Sequence, residues 1–211
     1  MKLQPLEKDA YFHLFNRGIN GTRIFTSDEN KRYFLQLLEK HLSGKVAVLA
    51  YCLMDNHFHF AIRILADDKT ANQTFSNLFN AYAKAFNKQE GRTGTLFERP
   101  FKRKRIENED YLRNVIMYIH INPENHGVVS DFRTFKFSSY PSFKQKKSNV
   151  VSVELEEVIA LFDDLPNLEY AHRMQLGDSI PDVDLSGFEN LTGLAPLAPD
   201  VQIKDKFYTY I

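Results

Sequence analysis

Hydrophobic positions along this chain recur with two periods, and the switches between them outline seven elements. Ala10 to Arg17 alternates aromatic and polar residues, which predicts a strand, and Gly18, Asn20 and Gly21 supply turn chemistry after it. Ser27 suits a helix N-cap, with Asp28 and Glu29 in the first turn. Tyr33, Phe34, Leu37, Leu38, His41 and Leu42 then keep helical spacing until Gly44. Val46 to Met54 is an apolar run that reads as a second strand. Asp55-Asn56 is a tight-turn candidate, and His57 to Leu65 is a third strand paired back on the second. Asp67-Asp68 ends it. A long helix follows from about Ala71 to Gln89, with Phe75, Leu78, Phe79, Tyr82, Ala83 and Phe86 on one side. Leu96 to Glu107 reads as a fourth strand. Asn108 caps a last helix through Tyr111, Leu112, Val115, Ile116 and Ile119, which Pro123 is expected to end.

This order predicts an α+β fold, an antiparallel sheet with helices mainly on one face in the ferredoxin-like or RRM-like manner. Beyond Gly127 the pattern weakens. Asp131 to Phe143 is aromatic and Ser-rich and is expected to pack back on the domain, and 144–148 reads as a linker. Val153 to Phe162 and Leu168 to Leu176 suggest short helices, and Pro, Gly and Asp dominate from Gly177 onward. The expected organisation is one domain over 1–143 and an acidic extension over 144–211.

Charge sharpens that division. The 211 residues sum to zero, but 1–149 hold 24 Lys and Arg against 15 Asp and Glu, net +9, and 150–211 hold 3 against 12, net −9. A basic, aromatic-rich domain beside an acidic segment points to a polyanionic partner. One cysteine, Cys52, excludes an internal disulfide. The N-terminus lacks the apolar core of a signal peptide, and the apolar run 46–54 is far too short for a membrane span. The expected location is the cytoplasm, associated with the nucleoid, with no membrane partner.

The candidate chemistry begins at His57-Phe58-His59. Residues i and i+2 of a strand share a face, so two imidazoles stand side by side while Phe58 enters the core. Two neutral imidazoles are a natural start for a divalent metal site. Tyr118 and Asn122 lie four residues apart on one face of the last helix, a hydroxyl beside an amide oxygen. A hydroxyl nucleophile and a metal site together suit phosphoryl transfer. His120 is on another face of that helix and is expected to be structural; His13, on the first strand, is a weaker candidate for a place near the site and is not counted among the site residues.

These stretches resemble a known family. His57-Phe58-His59 matches the His-hydrophobe-His motif of the single-tyrosine transposases of the insertion-sequence 200 type, above all the branch associated with repeated extragenic palindromes. Tyr51 to His59, Phe15-Asn16-Arg17-Gly18, Gly91 to Phe101 and Tyr118-Ile-His-Ile-Asn-Pro123 are similar to further family motifs in the family's order, over roughly 10–143. The resemblance implies that Tyr118 is the nucleophile and forms a 5′-phosphotyrosine with single-stranded, hairpin-containing DNA. It implies that His57, His59 and Asn122 hold Mg²⁺ or Mn²⁺, and it allows a homodimer. The sequence departs from the family at Asp55 (usually Pro), at Phe97 (usually Trp) and at Glu124-Asn125-His126-Gly127 (commonly Val-Arg-Ala-Gly). Lys84, Lys88, Arg92, Arg99, Lys102, Arg103, Lys104 and Arg105 are the candidate DNA-binding residues, from a stretch with few acids. Two alternatives stand beside a transposase: a domesticated DNA- or RNA-hairpin-binding protein with little catalysis, and a metal-dependent phosphodiesterase that uses water.

Overall fold

The computed structural model describes residues 4–145 and 150–175. Four strands form one antiparallel sheet: β1 (Tyr11–Arg17), β2 (Val46–Leu53), β3 (His57–Ile64) and β4 (Lys102–Ile106), in the order β2-β3-β1-β4. Helices α1 (Asp28–Leu42) and α2 (Asp68–Gln89) connect them, and α3 (Glu109–Asn125) follows β4. This is the ferredoxin-like α+β arrangement.

Strand alternation assigns the two faces. Phe58 is fully buried, with its ring 5.2 Å from Phe34 of α1, 5.6 Å from Phe79 of α2 and 6.1 Å from Phe97. Phe34 in turn meets Tyr82 edge-on at 5.0 Å. Helices α1 and α2 therefore cover one face with an aromatic core. His57 and His59 point to the other face, and α3 crosses it, bringing the Tyr118 ring 5.3 Å from that of His59. The sequence pattern shows that α3 has a buried side but not which face of the sheet receives it.

Local chemistry explains where element boundaries differ from the sequence reading. Helix α2 starts earlier than Ala71 because Asp67 is its N-cap, accepting from the Thr70 amide. Strand β4 is shorter than 96–107. Pro100 has no N–H to give a ladder, and before Lys102 the segment's backbone pairing is an isolated Gly18–Phe97 bridge. Helix α3 runs two residues past Pro123. Proline removes only its own amide donor, and in a last turn the helix can still close, here on the His126 amide bonded to the Asn122 carbonyl.

The chain after α3 returns to β2. Leu53 N donates to Phe137 O, Ser139 N donates to Tyr51 O, and Ser138 bridges Cys52. Val153 makes a parallel bridge to Val48. These segments cover what is otherwise an edge strand, and all eight residues of β2 are buried. Three further helices lie along this return: α4 (Tyr140–Gln145), α5 (Leu155–Leu161) and α6 (Leu165–Met174). Residues 150–175, read from sequence as part of an acidic extension, pack on the sheet domain. Glu157 accepts from Tyr11 Oη at 2.7 Å and pairs with Arg63 at 2.8 Å. Arg113 of α3 donates to the Leu161 carbonyl. Residues 146–149 and 176–211, including the stretch read as extended, lie outside the described residues. Among the described residues no helix is long and apolar enough to cross a membrane.

Candidate active site

The site begins with the register of β1 and β3. His59 is opposite Phe15, His57 opposite Arg17 and His13 opposite Ala61. His13, His57 and His59 consequently share one face. The rings of His57 and His59 lie 5.1 Å apart, and those of His13 and His59 lie 5.2 Å apart. Tyr118 comes down from α3 onto His59 and reaches within 6.0 Å of His13, ring to ring. Asn122, one helical turn further on, is fully buried. His126, at the C-cap of α3, sets its ring 5.8 Å from His57.

Water is largely excluded from this corner. His57, His59 and Asn122 are at most 2 % exposed and Tyr118 is 9 % exposed. Burial first, then the neighbouring His126, pushes His57 down to about 3, with Asn122 pulling in the opposite direction. Burial followed by the adjacent imidazoles holds His59 well below the ordinary histidine range. Burial, reinforced by Lys104, lowers His13 to about 3. All three are therefore neutral near pH 7, the form in which an imidazole nitrogen can donate to a metal. Burial also raises the Tyr118 phenol above its ordinary value, while the Asn122 amide acts to lower it. Asn122 thus influences both the nucleophile candidate and His57. Both of its amide polar atoms and the Tyr118 hydroxyl are buried from water.

The donor set suits a divalent cation. His57 Nδ1 is held by Asn56 Oδ1 at 2.7 Å, and His59 Nδ1 by His13 Nε2 at 3.0 Å. Each ring then has Nε2, also buried, on the side away from those bonds. The buried Asn122 Oδ1 adds a hard oxygen donor. Among the described residues no group of three or more His, Cys, Asp or Glu side chains is arranged to hold a metal ion.

The predicted DNA-binding residues divide. Lys102 pairs with Phe15 and Lys104 with His13, and paired residues share a face, so both lysines flank the tyrosine corner. Lys104 also lies 5.9 Å from the Tyr111 ring. Arg103 and Arg105 face α2 instead. Arg103 donates to the Gln4 carbonyl and to Asn72, and Arg105 pairs with Glu7. Lys84 and Lys88 are exposed on α2, Arg92 stacks 5.9 Å over Phe86, and Arg99 reaches Asn80 at 3.4 Å. Arg99 lines a groove of about 510 Å³ on this side, together with Asn72, Ser76, Asn80 and Phe101.

Sequence reasoning set aside two residues that the fold brings to the corner. His13, on the first strand, is only a weak candidate from sequence, because a single histidine on a strand carries no pairing information. His126 was visible only as a departure from the family pattern, although its spacing of four from Asn122 puts it on the same side of the helix end. His120, by contrast, turns away to Ser139 Oγ at 2.8 Å and His172 Nε2 at 2.9 Å. The other departures have partners within the chain. Asp55 binds Lys31 at 2.7 Å and exerts a small upward pull on His57. Glu124 accepts from the Phe132 amide at 2.8 Å, and Phe97 packs 5.4 Å from Phe79.

No family model matches this chain, and no curated protein matches it. Among solved structures it is similar to a REP-associated tyrosine transposase bound to a REP hairpin. The TM-score is 0.54 and the identity 18 %, over 74 % of this chain and 94 % of that one, a likeness of fold.

Proposed function

We propose that this chain is a DNA strand transferase of the REP-associated single-tyrosine kind, nicking and rejoining hairpin-containing single-stranded DNA. One observation carries the reading: Tyr118, Asn122, His57 and His59, distant in sequence, share one water-poor corner. A hydrophobic core has no need of a phenol, an amide and two imidazoles buried together. The fold likeness to a hairpin-bound transposase supports the same reading.

In this reading Tyr118 Oη attacks the scissile phosphorus in line. The Oη–P bond forms, the P–O3′ bond breaks, the phenol proton is lost and the leaving oxygen ends as a 3′-OH. The product is a 5′-phosphotyrosine, and rejoining is the reverse step with another 3′-OH. His57, His59 and Asn122 would hold Mg²⁺ or Mn²⁺, which supplies charge stabilisation at the scissile phosphate and the leaving oxygen. Asn122 offsets part of the burial that keeps the Tyr118 phenol protonated. Lys102 and Lys104 stand on the same face, suited to the phosphates that flank the attacked one.

The test incubates 5′- and 3′-labelled hairpin strands with protein and Mg²⁺ or Mn²⁺ and resolves them on a denaturing gel. The fragment downstream of the nick should travel with the protein. Hairpin binding without cleavage would favour the binding-protein alternative, and cleavage without an adduct would make water the nucleophile.

A further inference from the structure

We propose that His13 is a positioning residue for the metal site: its Nε2 accepts the His59 Nδ1–H and so keeps the His59 Nε2 lone pair for the cation. This rests on the metal reading above and adds to it a residue outside the tyrosine, the two strand histidines and the asparagine.

The geometry at His57 shows how such a device works. Its Nδ1 lies 2.7 Å from Asn56 Oδ1, and an amide oxygen only accepts. The proton therefore sits on Nδ1, and the lone pair is on Nε2. At His59 the corresponding bond runs to another imidazole, His13 Nε2, at 3.0 Å. Both rings are fully buried, and their planes are 29° apart. Sheet register holds them in place: His13 is opposite Ala61, two residues from His59 on the same face, a diagonal neighbour within reach of a ring. The Phe15 ring at 4.9 Å and the Tyr118 ring at 6.0 Å close the remaining sides.

An imidazole pair admits two proton placements across one hydrogen bond. In one, His13 donates and His59 carries its proton on Nε2, where it cannot bind a cation. In the other, His59 donates from Nδ1 and His13 carries its own proton on Nδ1. Cation binding at His59 selects the second, so the tautomers of both rings change together. A partner of this kind orients a ligand ring and raises its basicity, and its loss typically weakens metal affinity by about 10–100-fold.

The experiment measures Mn²⁺ binding to the full chain by calorimetry, without DNA, for the wild type and for His57→Ala, His59→Ala, His13→Leu and His13→Gln, with a thermal melt of each. ¹⁵N spectra of the wild type and the leucine variant, with and without Mg²⁺, report the His59 tautomer. The expected result is loss of binding in both alanine variants, weakening by about 10–100-fold in His13→Leu, and partial recovery in His13→Gln, whose amide oxygen can accept. His59 should carry its proton on Nδ1 in the loaded wild type. If both alanine variants lose Mn²⁺ but His13→Leu binds as the wild type does, the role of His13 is overturned and the metal site stands. If the alanine variants bind normally, the metal reading itself fails. Should His13→Leu not fold, the loaded wild-type spectrum decides: a His59 proton on Nε2 overturns the proposal.

Discussion

On one face of the sheet, β3 sends Phe58 and Phe60 into a cluster with Phe34, Phe79 and Tyr82; on the other, the alternating residues are His57 and His59, with His59 packed on Tyr118 and His13. The two faces are almost equally buried. On the aromatic face, removing hydrocarbon from water contributes about 25 cal/mol per Å² and holds the domain together. On the other, burial contributes little to folding and changes chemistry instead: it keeps imidazoles neutral and raises a phenol. A strand that feeds both faces ties the geometry of the reactive corner to the rigidity of the core behind it.

The largest expected effect separates the faces completely. Tyr118→Phe removes one hydroxyl, so the covalent adduct and cleavage should vanish while the melting curve and hairpin affinity stay near wild type. An adduct persisting in that variant would assign the nucleophile elsewhere. On the aromatic face, Phe58→Ala opens a cavity between two helices and should destabilise by about 3–5 kcal/mol in urea titration. His57→Ala, one residue away, should lose Mn²⁺ binding with a clearly smaller loss of stability. Equal losses would mean that the polar face is also a folding core.

A third effect concerns the imidazole pair that ties α6 to α3. Burial lowers His172 to about 4, and it is hydrogen-bonded to His120. The unfolded chain takes up this proton near the ordinary histidine value of about 6.5, whereas the folded chain resists it until about 4. Between these values the unfolded state binds more protons, so stability is complete above about 6.5 and falls on acidification towards about 4, by up to about 1.4 kcal/mol per pH unit for this group. Urea midpoints at pH 7.5 and 5 measure it, and His172→Phe should reduce the dependence by this group's share, the other buried histidines keeping theirs. The smallest effect distinguishes the two sides of β4. Replacing Lys102 and Lys104 by Gln should reduce the salt slope of hairpin binding by about 1.5, at roughly 0.7–0.9 per phosphate contact. Replacing Arg103 and Arg105, which bind Gln4, Asn72 and Glu7, should leave that slope unchanged.

Much of this is legible in the sequence. Alternation over β1 and β3, helical spacing in α1 and α2, and the caps Ser27 and Asn108 are local signals, and each produced its element. The i, i+2 rule put His57 and His59 on one face, and the i, i+4 rule put Tyr118 beside Asn122. The failures were also local in origin. Asp67 caps a helix through a side-chain bond that competes with a turn reading, and Pro123 sits so late in α3 that losing one amide does not end it.

Periodicity does not reveal which side of the sheet receives α3, because an amphipathic helix has the same pattern whichever face it covers; only the resemblance, by joining Asn122 to His57 and His59, implied it. That choice brings Tyr118 to His59. Nor could sequence link His13 to His59, which are 46 residues apart and meet through the pairing of β1 with β3. The acidic segment is a further case: its charge left open packing on the basic domain or recruiting a partner, and in its described part Glu157 meets Tyr11 and Arg63 while Val153 lies along β2. Periodicity and capping depend on neighbours within a few residues and are written into the order of the chain. Strand register, helix side and long-range ion pairs depend on which surfaces exclude water together, and those exist once the chain has folded.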